Sequence, residues 1–437
     1  MMHGANRSER LQVMRWLTNP LFLYVAVWTT AGTLYLLGIR AGMFPDLESI
    51  TAVAVLLSLG AFALGYLTWA FFHRLSPTDE TPAPAGRTLG STRIARWLKL
   101  SLLMGIIAMA LGLYRVAVIA AYFDVSFAFL ITHPGWLRLW LVIYLGMSHA
   151  HIDFIPVLIS LASSLFAVGF VLLGVFLCIS RSFVRFVYLA AFLFVTLAVG
   201  LTNLSRYEVT VNVLYLVLAY GLTYVSSARK SPRDAVFDLL LPLASVVVLF
   251  ATVDVLLGKS SAYGHADRLR GALFSFYWYI ASPLAAFNEF LTGFDGPYQL
   301  GQYMFYPFYK WLYRFGLVSE PTFAFYGEMT FLPFMTNVYT YLRNVYEDFG
   351  MLGVAVVPYV LGWGTCALRP LALRSLPFLN LYVIVLVLIL FSFYNYFLNS
   401  SQMYLQILFG FVFFRFELPR RDASHVTSVV AASAAPV

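Results

Sequence analysis

Side chains able to carry out acid–base or phosphate chemistry are sparse in this chain of 437 residues, and several lie close together near position 340. Glu328 and Asp348 are carboxylates, which act in proteins as general bases or polarise a hydroxyl group. Glu328 follows a run of aromatic residues, and partial burial there would raise its pKa. Arg343 lies three residues after Thr340, on the same face if the segment is helical. The segment is therefore a candidate site, although Asp348 is equally suited to cap a helix or to pair with Arg343.

The composition indicates that the elements positioning these side chains are membrane helices. Of all residues, 61% are apolar and 11% are charged, whereas soluble domains are about 45–50% apolar and about 25% charged. So little polar surface cannot cover a water-soluble globule of this size. The composition excludes a soluble enzyme, a disordered scaffold and a collagen-like fibre, and it indicates a polytopic membrane protein.

The hydropathy pattern predicts an all-α fold with about ten transmembrane helices, each about 20 mainly apolar residues long. The alternating pattern typical of a membrane barrel is absent. The segment 125–147 is apolar but interrupted by polar residues, and we interpret it as re-entrant or interfacial, with an extra span as the alternative. The predicted spans are residues 20–38, 49–72, 97–120, 152–178, 183–200, 209–227, 236–256, 349–368, 378–396 and 401–415.

The basic residues predict how these spans are oriented. Eighteen of the 28 Lys and Arg residues fall on one side of the ten-span topology, which is the cytoplasmic side by the positive-inside rule. Both termini are therefore predicted to be cytoplasmic, with an uncleaved first span. Because orientation accounts for the net charge of +8, nucleic acid is not expected as a partner. The predicted organisation is a bundle of about seven spans over 1–256 with a cytoplasmic linker at 73–96, a large external loop at 257–348, transmembrane helices at 349–416 and a disordered tail at 417–437.

The large external loop is unusually aromatic. From Phe274 to Phe349, 26 of 76 residues are Phe, Tyr or Trp, against 18% in the whole chain. One interpretation is an interfacial belt of short helices at the depth of the lipid headgroups. The other is a groove whose rings stack on sugars while polar side chains bind sugar hydroxyls. The two interpretations are compatible, because a lipid-linked sugar is presented at that depth.

Motifs for metal or nucleotide chemistry are missing from the sequence. There is no HExxH or CxxC spacing and no Gly-rich phosphate loop after a strand. His149, His151 and Asp153 are too close together on one helix to converge on a metal, so a solvated or acid–base role is the better interpretation. We therefore expect no metal and no cofactor.

The segment from Met335 to Gly353 resembles the Asn-x-Tyr-Thr … Asp-Phe-Gly-x-x-Gly signature of bacterial oligosaccharide repeat-unit polymerases. Thr18-Asn19-Pro20-Leu21 at the start of the first span, Ser205-Arg206 at an external helix junction and one large external loop before the last three spans are also similar. In layout the resemblance covers most of the chain, and its sharp motif spans about 20 residues. The matching motif residues are Asn337, Tyr339, Thr340, Asp348, Phe349, Gly350 and Gly353.

This resemblance implies a GT-C-like glycosyltransferase of the bacterial inner membrane, whose large loop contains short helices in the periplasm. Such an enzyme transfers a growing O-antigen or exopolysaccharide chain from undecaprenyl diphosphate to the next lipid-linked repeat unit, without a nucleotide sugar. Its expected partners are undecaprenyl-diphosphate-linked glycans, membrane lipids, and a chain-length regulator and a flippase of the same pathway.

The resemblance also suggests roles for the candidate residues. A diphosphate leaving group needs fixed positive charge, and the guanidinium fork of arginine suits phosphate oxygens. Arg206 is the first choice because it lies in a very short external connection, at about 201–208, where a charge between two apolar spans is costly without a partner. Its alternative is an interfacial arginine that extends its side chain to the lipid headgroups. Solvated loop charges are the alternative for Arg268 and Arg270, and helix capping is the alternative for the Asn-x-Tyr-Thr residues. The expected catalytic residues are Arg206, Glu328, Arg343 and Asp348, and the expected substrate-binding residues are Arg268, Arg270, Asn337, Tyr339 and Thr340.

Two other functions remain open from the sequence. An O-antigen ligase has a similar layout, but the motif favours the polymerase. A polysaccharide flippase or exporter would show more spans, shorter loops and more charges within the membrane than this chain has.

Overall fold

In a computed structural model of the protein, the described part of the chain is almost entirely helical. It comprises residues 18–75, 91–133, 136–137, 140, 154–180, 182–203, 206–227, 244, 248, 252, 268–319, 330–336, 338–394 and 400–415. Within these residues there are twelve helices and one antiparallel pair of two-residue strands. The elements are α1 Pro20–Arg40, α2 Ser49–Leu75, α3 Ser91–Tyr122, α4 Phe127–Thr132, α5 Phe154–Ile179, α6 Val184–Thr202, α7 Arg206–Ser227, α8 Arg268–Gly293, α9 Tyr306–Arg314, β1 Thr330–Phe331, β2 Met335–Thr336, α10 Tyr341–Ala372, α11 Leu376–Leu390 and α12 Ser401–Arg415.

The prediction of an all-α, multi-pass membrane protein is confirmed. In the described part of the chain, seven helices are long and apolar enough to cross a membrane, namely α1, α2, α3, α5, α6, α7 and α10. Two further apolar helices, α11 and α12, are shorter. Most of the predicted span at 236–256 and most of the linker at 73–96 lie outside the described residues, and so does most of 125–147 beyond α4.

The first span begins where its sequence predicts. The Asn19 side chain accepts hydrogen bonds from the backbone N–H groups of Leu21, at 2.9 Å, and Phe22, at 3.3 Å. Pro20 is the first helical residue, where its missing N–H group costs nothing. The Thr-Asn-Pro-Leu sequence is thus a helix N-cap in this protein.

The centre of the bundle is formed by α5, α7 and α11, whose side chains are largely buried, whereas α2 and α3 expose many leucine, valine and phenylalanine side chains. An exposed apolar face of this kind is suited to lipid, where helix association depends on close packing rather than on the hydrophobic effect. A buried hydroxyl cluster also links three helices: the Tyr24 hydroxyl contacts Ser58 Oγ and lies 2.7 Å from the Tyr341 hydroxyl.

Helices α2 and α10 pack closely against each other, and two glycines make this close approach possible. A Cβ atom at Gly65 would collide with the carbonyl oxygen of Tyr359, and one at Gly362 would collide with that of Phe62. Small residues let two membrane helices approach to backbone contact in this way.

We expect Gly362→Ala to lower the free energy of unfolding by about 1–2 kcal/mol, because the added methyl group must push the two backbones apart. Thermal unfolding of the purified protein in detergent measures the loss. Gly60→Ala on α2 is the matched control, since a Cβ atom there meets nothing within 4 Å. Equal stability of the two variants would contradict the packing described for this crossing.

Helix α10 is bent at Gly350, which has φ 62° and ψ −152°. The bend divides α10 into a first part, 341–349, and a longer part that begins at Met351. The sequence predicted that this span starts at 349, and the helix instead begins eight residues earlier, at Tyr341. Arg343 and Asp348 therefore lie on a short helix in front of the bend, and Tyr339 and Thr340 directly precede that helix.

Candidate functional site

A cleft with a volume of about 770 Å³ lies between the C-terminal end of α8 and the first part of α10. We call it the α8–α10 cleft. Tyr339 and Glu347 bring the motif segment to its wall, and Thr330 adds a hydroxyl group from β1. The opposite wall comes from the end of α8 and the turn that follows it. The motif segment identified in the sequence thus borders a large open cleft.

Asparagine and aromatic residues hold α8 in place beside this cleft. The Asn288 side chain donates to the carbonyl oxygen of Asp46 at 3.1 Å and accepts from the backbone N–H of Glu48 at 2.9 Å. The ring of Trp278 lies 5.3 Å from that of Phe44. These contacts fix α8 against the connection between α1 and α2, so the wall that it forms is rigidly supported.

Aromatic rings form much of the cleft lining. Phe290 and Phe294 come from α8 and the following turn, with their ring centroids 5.1 Å apart. Tyr303 and Tyr339 contribute two more rings. The C–H faces of sugars pack well on such rings, and a tyrosine adds a hydroxyl group at the edge.

Carboxylates are the charged groups of the lining. Glu289, Asp295 and Glu347 contribute acidic side chains, and Gln299 contributes an amide. Carboxylate oxygens accept hydrogen bonds from sugar hydroxyls and can take up a proton from one of them. The arrangement of rings and carboxylates suits the binding of a polyhydroxylated ligand.

Arg343 is enclosed between aromatic rings behind the cleft wall. Its guanidinium carbon lies 3.9 Å from the ring centroid of Tyr339 and 4.8 Å from that of Phe290. Its Nε and Nη2 atoms donate to Glu347 Oε1 at 3.3 Å and 3.1 Å. The side chains of the pair are 7% and 8% exposed. Because the guanidinium is paired and stacked, it orients Glu347 and both rings of the cleft.

Asp348 points away from Arg343. Its Oδ1 and Oδ2 atoms accept hydrogen bonds from the backbone N–H groups of Tyr303, at 3.1 Å, and Met304, at 2.8 Å. The suggested pairing of Asp348 with Arg343 is therefore wrong, because Glu347, one helical turn from Arg343, takes that position. The suggestion that Asp348 caps its own helix is wrong as well, because it lies inside α10 and instead caps the turn before α9.

Backbone hydrogen bonds also attach the segment after α8 to α10. The N–H groups of Gln299 and Leu300 donate to the carbonyl oxygens of Glu347, at 2.9 Å, and Asp348, at 3.1 Å. Two cleft residues, Gln299 and Tyr303, are thus held against the motif helix. This geometry favours a positioning role for Asp348, whose carboxylate is fully buried.

Thr340 and Tyr339 are the other described candidates of the motif segment. Thr340 occupies the N-cap position of α10 without a side-chain capping bond, and its buried hydroxyl has no hydrogen-bond partner among the described residues. The Tyr339 hydroxyl bonds with Thr330 Oγ1. Glu328 and Asn337 lie outside the described residues, as does the cluster formed by His149, His151 and Asp153.

The predicted arginines outside the motif segment are Arg206, Arg268 and Arg270. Arg206 and Arg268 are the first residues of α7 and α8, and their side chains lie outside the described part. Arg270 is exposed near the start of α8. With a rise of 1.5 Å per residue, it lies roughly 25–30 Å along that helix from Glu289. Arg270 therefore does not line the α8–α10 cleft.

A second polar cluster lies where α6 ends and α7 begins, next to Arg206 in sequence. Arg115 Nη2 donates to the Asn203 side chain at 2.8 Å and to the Thr202 carbonyl oxygen at 3.0 Å. The Asn203 amide in turn donates to Glu208 Oε2 at 2.9 Å. Because the link from Arg115 to Glu208 joins α3 to α7 through Asn203, no local sequence pattern reveals it.

Cleft residues that sequence reasoning passed over are Glu289, Asp295, Gln299, Tyr303 and Glu347. For Glu347 a signal existed, because its spacing of four from Arg343 is that of a helical ion pair. The remaining four lie 44 to 58 residues before Glu347 in the sequence, and only the fold places them beside it.

Comparisons with known proteins leave the family of the chain open. No family model, no curated protein and no solved structure matches it. Among the described residues, no group of three His, Cys, Asp or Glu side chains could hold a metal ion.

Proposed function

We propose that this protein is a membrane-embedded glycosyltransferase that polymerises lipid-diphosphate-linked oligosaccharide repeat units. The observation that supports it most is the α8–α10 cleft, in which aromatic rings and carboxylates flank the polymerase-like motif. Stacking rings and hydroxyl-binding carboxylates are what a glycan acceptor requires. The surrounding apolar helices would keep the cleft at the membrane, where a lipid-linked sugar is presented.

In the proposed reaction, the acceptor hydroxyl of an incoming repeat unit attacks the anomeric carbon of the growing chain. A new glycosidic bond forms, and the bond between that carbon and the diphosphate oxygen breaks with its electron pair on the lipid diphosphate. The acceptor proton passes to a carboxylate of the cleft. Glu289 and Glu347 both line the cleft and are candidates, and Glu347 has its orientation fixed by Arg343. Glu328 stays a candidate from sequence.

The leaving diphosphate needs positive charge, and Arg206 and Arg268 remain the candidates for supplying it. Arg206 lies two residues before Glu208, a member of the partly buried polar cluster, within the first helical turn of α7. An arginine beside polar groups at a helix start can meet phosphate oxygens without crossing apolar surface. The proposal places this chemistry on the periplasmic face of the bacterial inner membrane, with ten spans and cytoplasmic termini. A flippase and a chain-length regulator would act with the enzyme.

Deletion of the gene in its host tests the proposal. Surface glycans separated on a gel should then show single repeat units in place of a ladder, with membrane abundance of other pathway proteins unchanged. Complete loss of surface repeat units would indicate a flippase. Long chains that accumulate on the lipid diphosphate would indicate a ligase. Either of these results would overturn the polymerase proposal.

We expect Arg206→Ala to reduce the ladder at least about tenfold, since one lost charge-assisted contact to a diphosphate is worth about 1.5–3 kcal/mol. Arg40→Ala is the control, because Arg40 is an exposed arginine at the end of α1. Both variants should reach wild-type abundance in the membrane. A full ladder in the Arg206→Ala strain would remove Arg206 from the mechanism.

A further inference from the structure

The charged side chains that line the α8–α10 cleft are all acidic among the described residues. Three carboxylates line it, from Glu289, Asp295 and Glu347, and among the described lining residues there is no lysine or arginine. The nearby Arg343 is enclosed by two rings and paired with Glu347, so these two charges balance each other and the negative charge of the described lining comes from Glu289 and Asp295.

The ten residues directly before Thr330 contain no basic side chain. Residues 320–329 precede Thr330, which lines the cleft, and they lie outside the described part of the chain. Their sequence contains Glu320 and Glu328 and no lysine or arginine.

We infer that the α8–α10 cleft selects a glycan segment that carries no negative charge. This inference rests on the proposed function and specifies its acceptor. Uncharged hydroxyls donate to the three carboxylates, and the sugar faces stack on rings such as Phe290 and Phe294. A uronic acid or sugar phosphate would place an anion beside an anion. Two like unit charges 4 Å apart repel each other by about 1 kcal/mol at the dielectric constant of water, which weakens binding about fivefold. The repulsion is stronger within a cleft of lower dielectric constant.

The size of the cleft is consistent with a ligand of several sugars. Its volume of about 770 Å³ falls within the range of about 300–1,000 Å³ for small-molecule sites. Charge selection at this cleft therefore acts on a portion of the repeat unit as large as a short oligosaccharide, and not on one hydroxyl group.

A matched pair of glycans tests the inference on the full-length protein in lipid nanodiscs. The first probe is the repeat unit that accumulates in the deletion strain, released from its lipid by mild acid. The second is the same glycan after oxidation of its primary hydroxyls to carboxylates. Saturation-transfer NMR titration should show that the oxidised probe binds at least about fivefold more weakly. In the double variant Glu289→Gln/Asp295→Asn, the ratio of the two affinities should fall towards one.

The outcomes separate this inference from the proposed function. Equal binding of both probes to the wild-type protein would overturn the charge selection alone, and so would a native repeat unit that already bears carboxylates or phosphates. An affinity ratio that the double variant leaves unchanged would overturn the assignment to Glu289 and Asp295. Failure of the native probe to bind would remove the cleft as the glycan site. A deletion strain that accumulates no repeat unit would overturn the proposed function, and this inference with it.

Discussion

Arg343→Met is expected to abolish the glycan ladder and to lower the free energy of unfolding by about 3 kcal/mol. Removing one partner of a buried ion pair leaves the other charge uncompensated, which costs about 3–5 kcal/mol. The lower end applies because Glu347 borders an open cleft. Methionine keeps the volume of the side chain but supplies neither the hydrogen bonds to Glu347 nor a cation between Tyr339 and Phe290. Thermal unfolding in detergent and the surface-glycan gel measure the two effects.

A second variant separates stability from function at this position. Arg343→Met/Glu347→Gln removes both charges, so it should regain most of the lost stability while the ladder stays absent, because the oriented carboxylate is missing. Arg314→Met is the control, since Arg314 is exposed on α9, and it should leave stability and ladder unchanged. Wild-type stability of Arg343→Met would contradict the buried pair, and a full ladder from the double variant would exclude Glu347 from the mechanism.

Gly350→Val should be comparably damaging, with an expected loss of about 3 kcal/mol. The combination of φ 62° and ψ −152° is essentially restricted to glycine, and a β-branched residue is strained there. A Cβ atom would also lie 2.7 Å from the Tyr298 hydroxyl oxygen. Relief of the strain would straighten α10 and move Arg343, Glu347 and Asp348 away from α8. We therefore expect loss of the ladder together with a lower melting temperature.

Gly364→Val provides the comparison on the same helix. A Cβ atom at Gly364 meets nothing within 4 Å, and its backbone is not in the positive-φ region, so stability and ladder should stay close to wild type. If Gly350→Val behaved like Gly364→Val, the bend would not be needed to place the motif residues.

Much of the fold follows from the sequence because membrane helices are encoded locally. The predicted start of the first span at residue 20 matches α1, and the predicted span 401–415 coincides with α12. Length, apolarity and an Asn-Pro cap are properties of neighbouring residues, and they need no tertiary information. By contrast, Gly350 at the bend lies against Tyr298, which is 52 residues earlier in the sequence, and hydropathy does not reveal that contact.

The candidate site was predictable only in part. The motif led to Tyr339 and Arg343, which border or support the α8–α10 cleft, because side chains within one helical turn can be related by spacing. The motif also favoured Asp348 over Glu347 as the catalytic carboxylate. Adjacent residues on a helix point in directions about 100° apart, and the sequence does not show which of them faces α8. In the structure Glu347 lines the cleft, whereas Asp348 accepts hydrogen bonds from the backbone of Tyr303 and Met304.

Reconstituted polymerisation is the most direct test of the proposed function. Purified protein in nanodiscs is mixed with lipid-diphosphate-linked repeat units isolated from the deletion strain, and the products are separated by gel and mass spectrometry. We expect glycans that grow by whole repeat units, with one free lipid diphosphate released for each bond formed, and no products with Arg343→Met. If folded wild-type protein yields no glycan longer than one repeat unit, the polymerase proposal is contradicted.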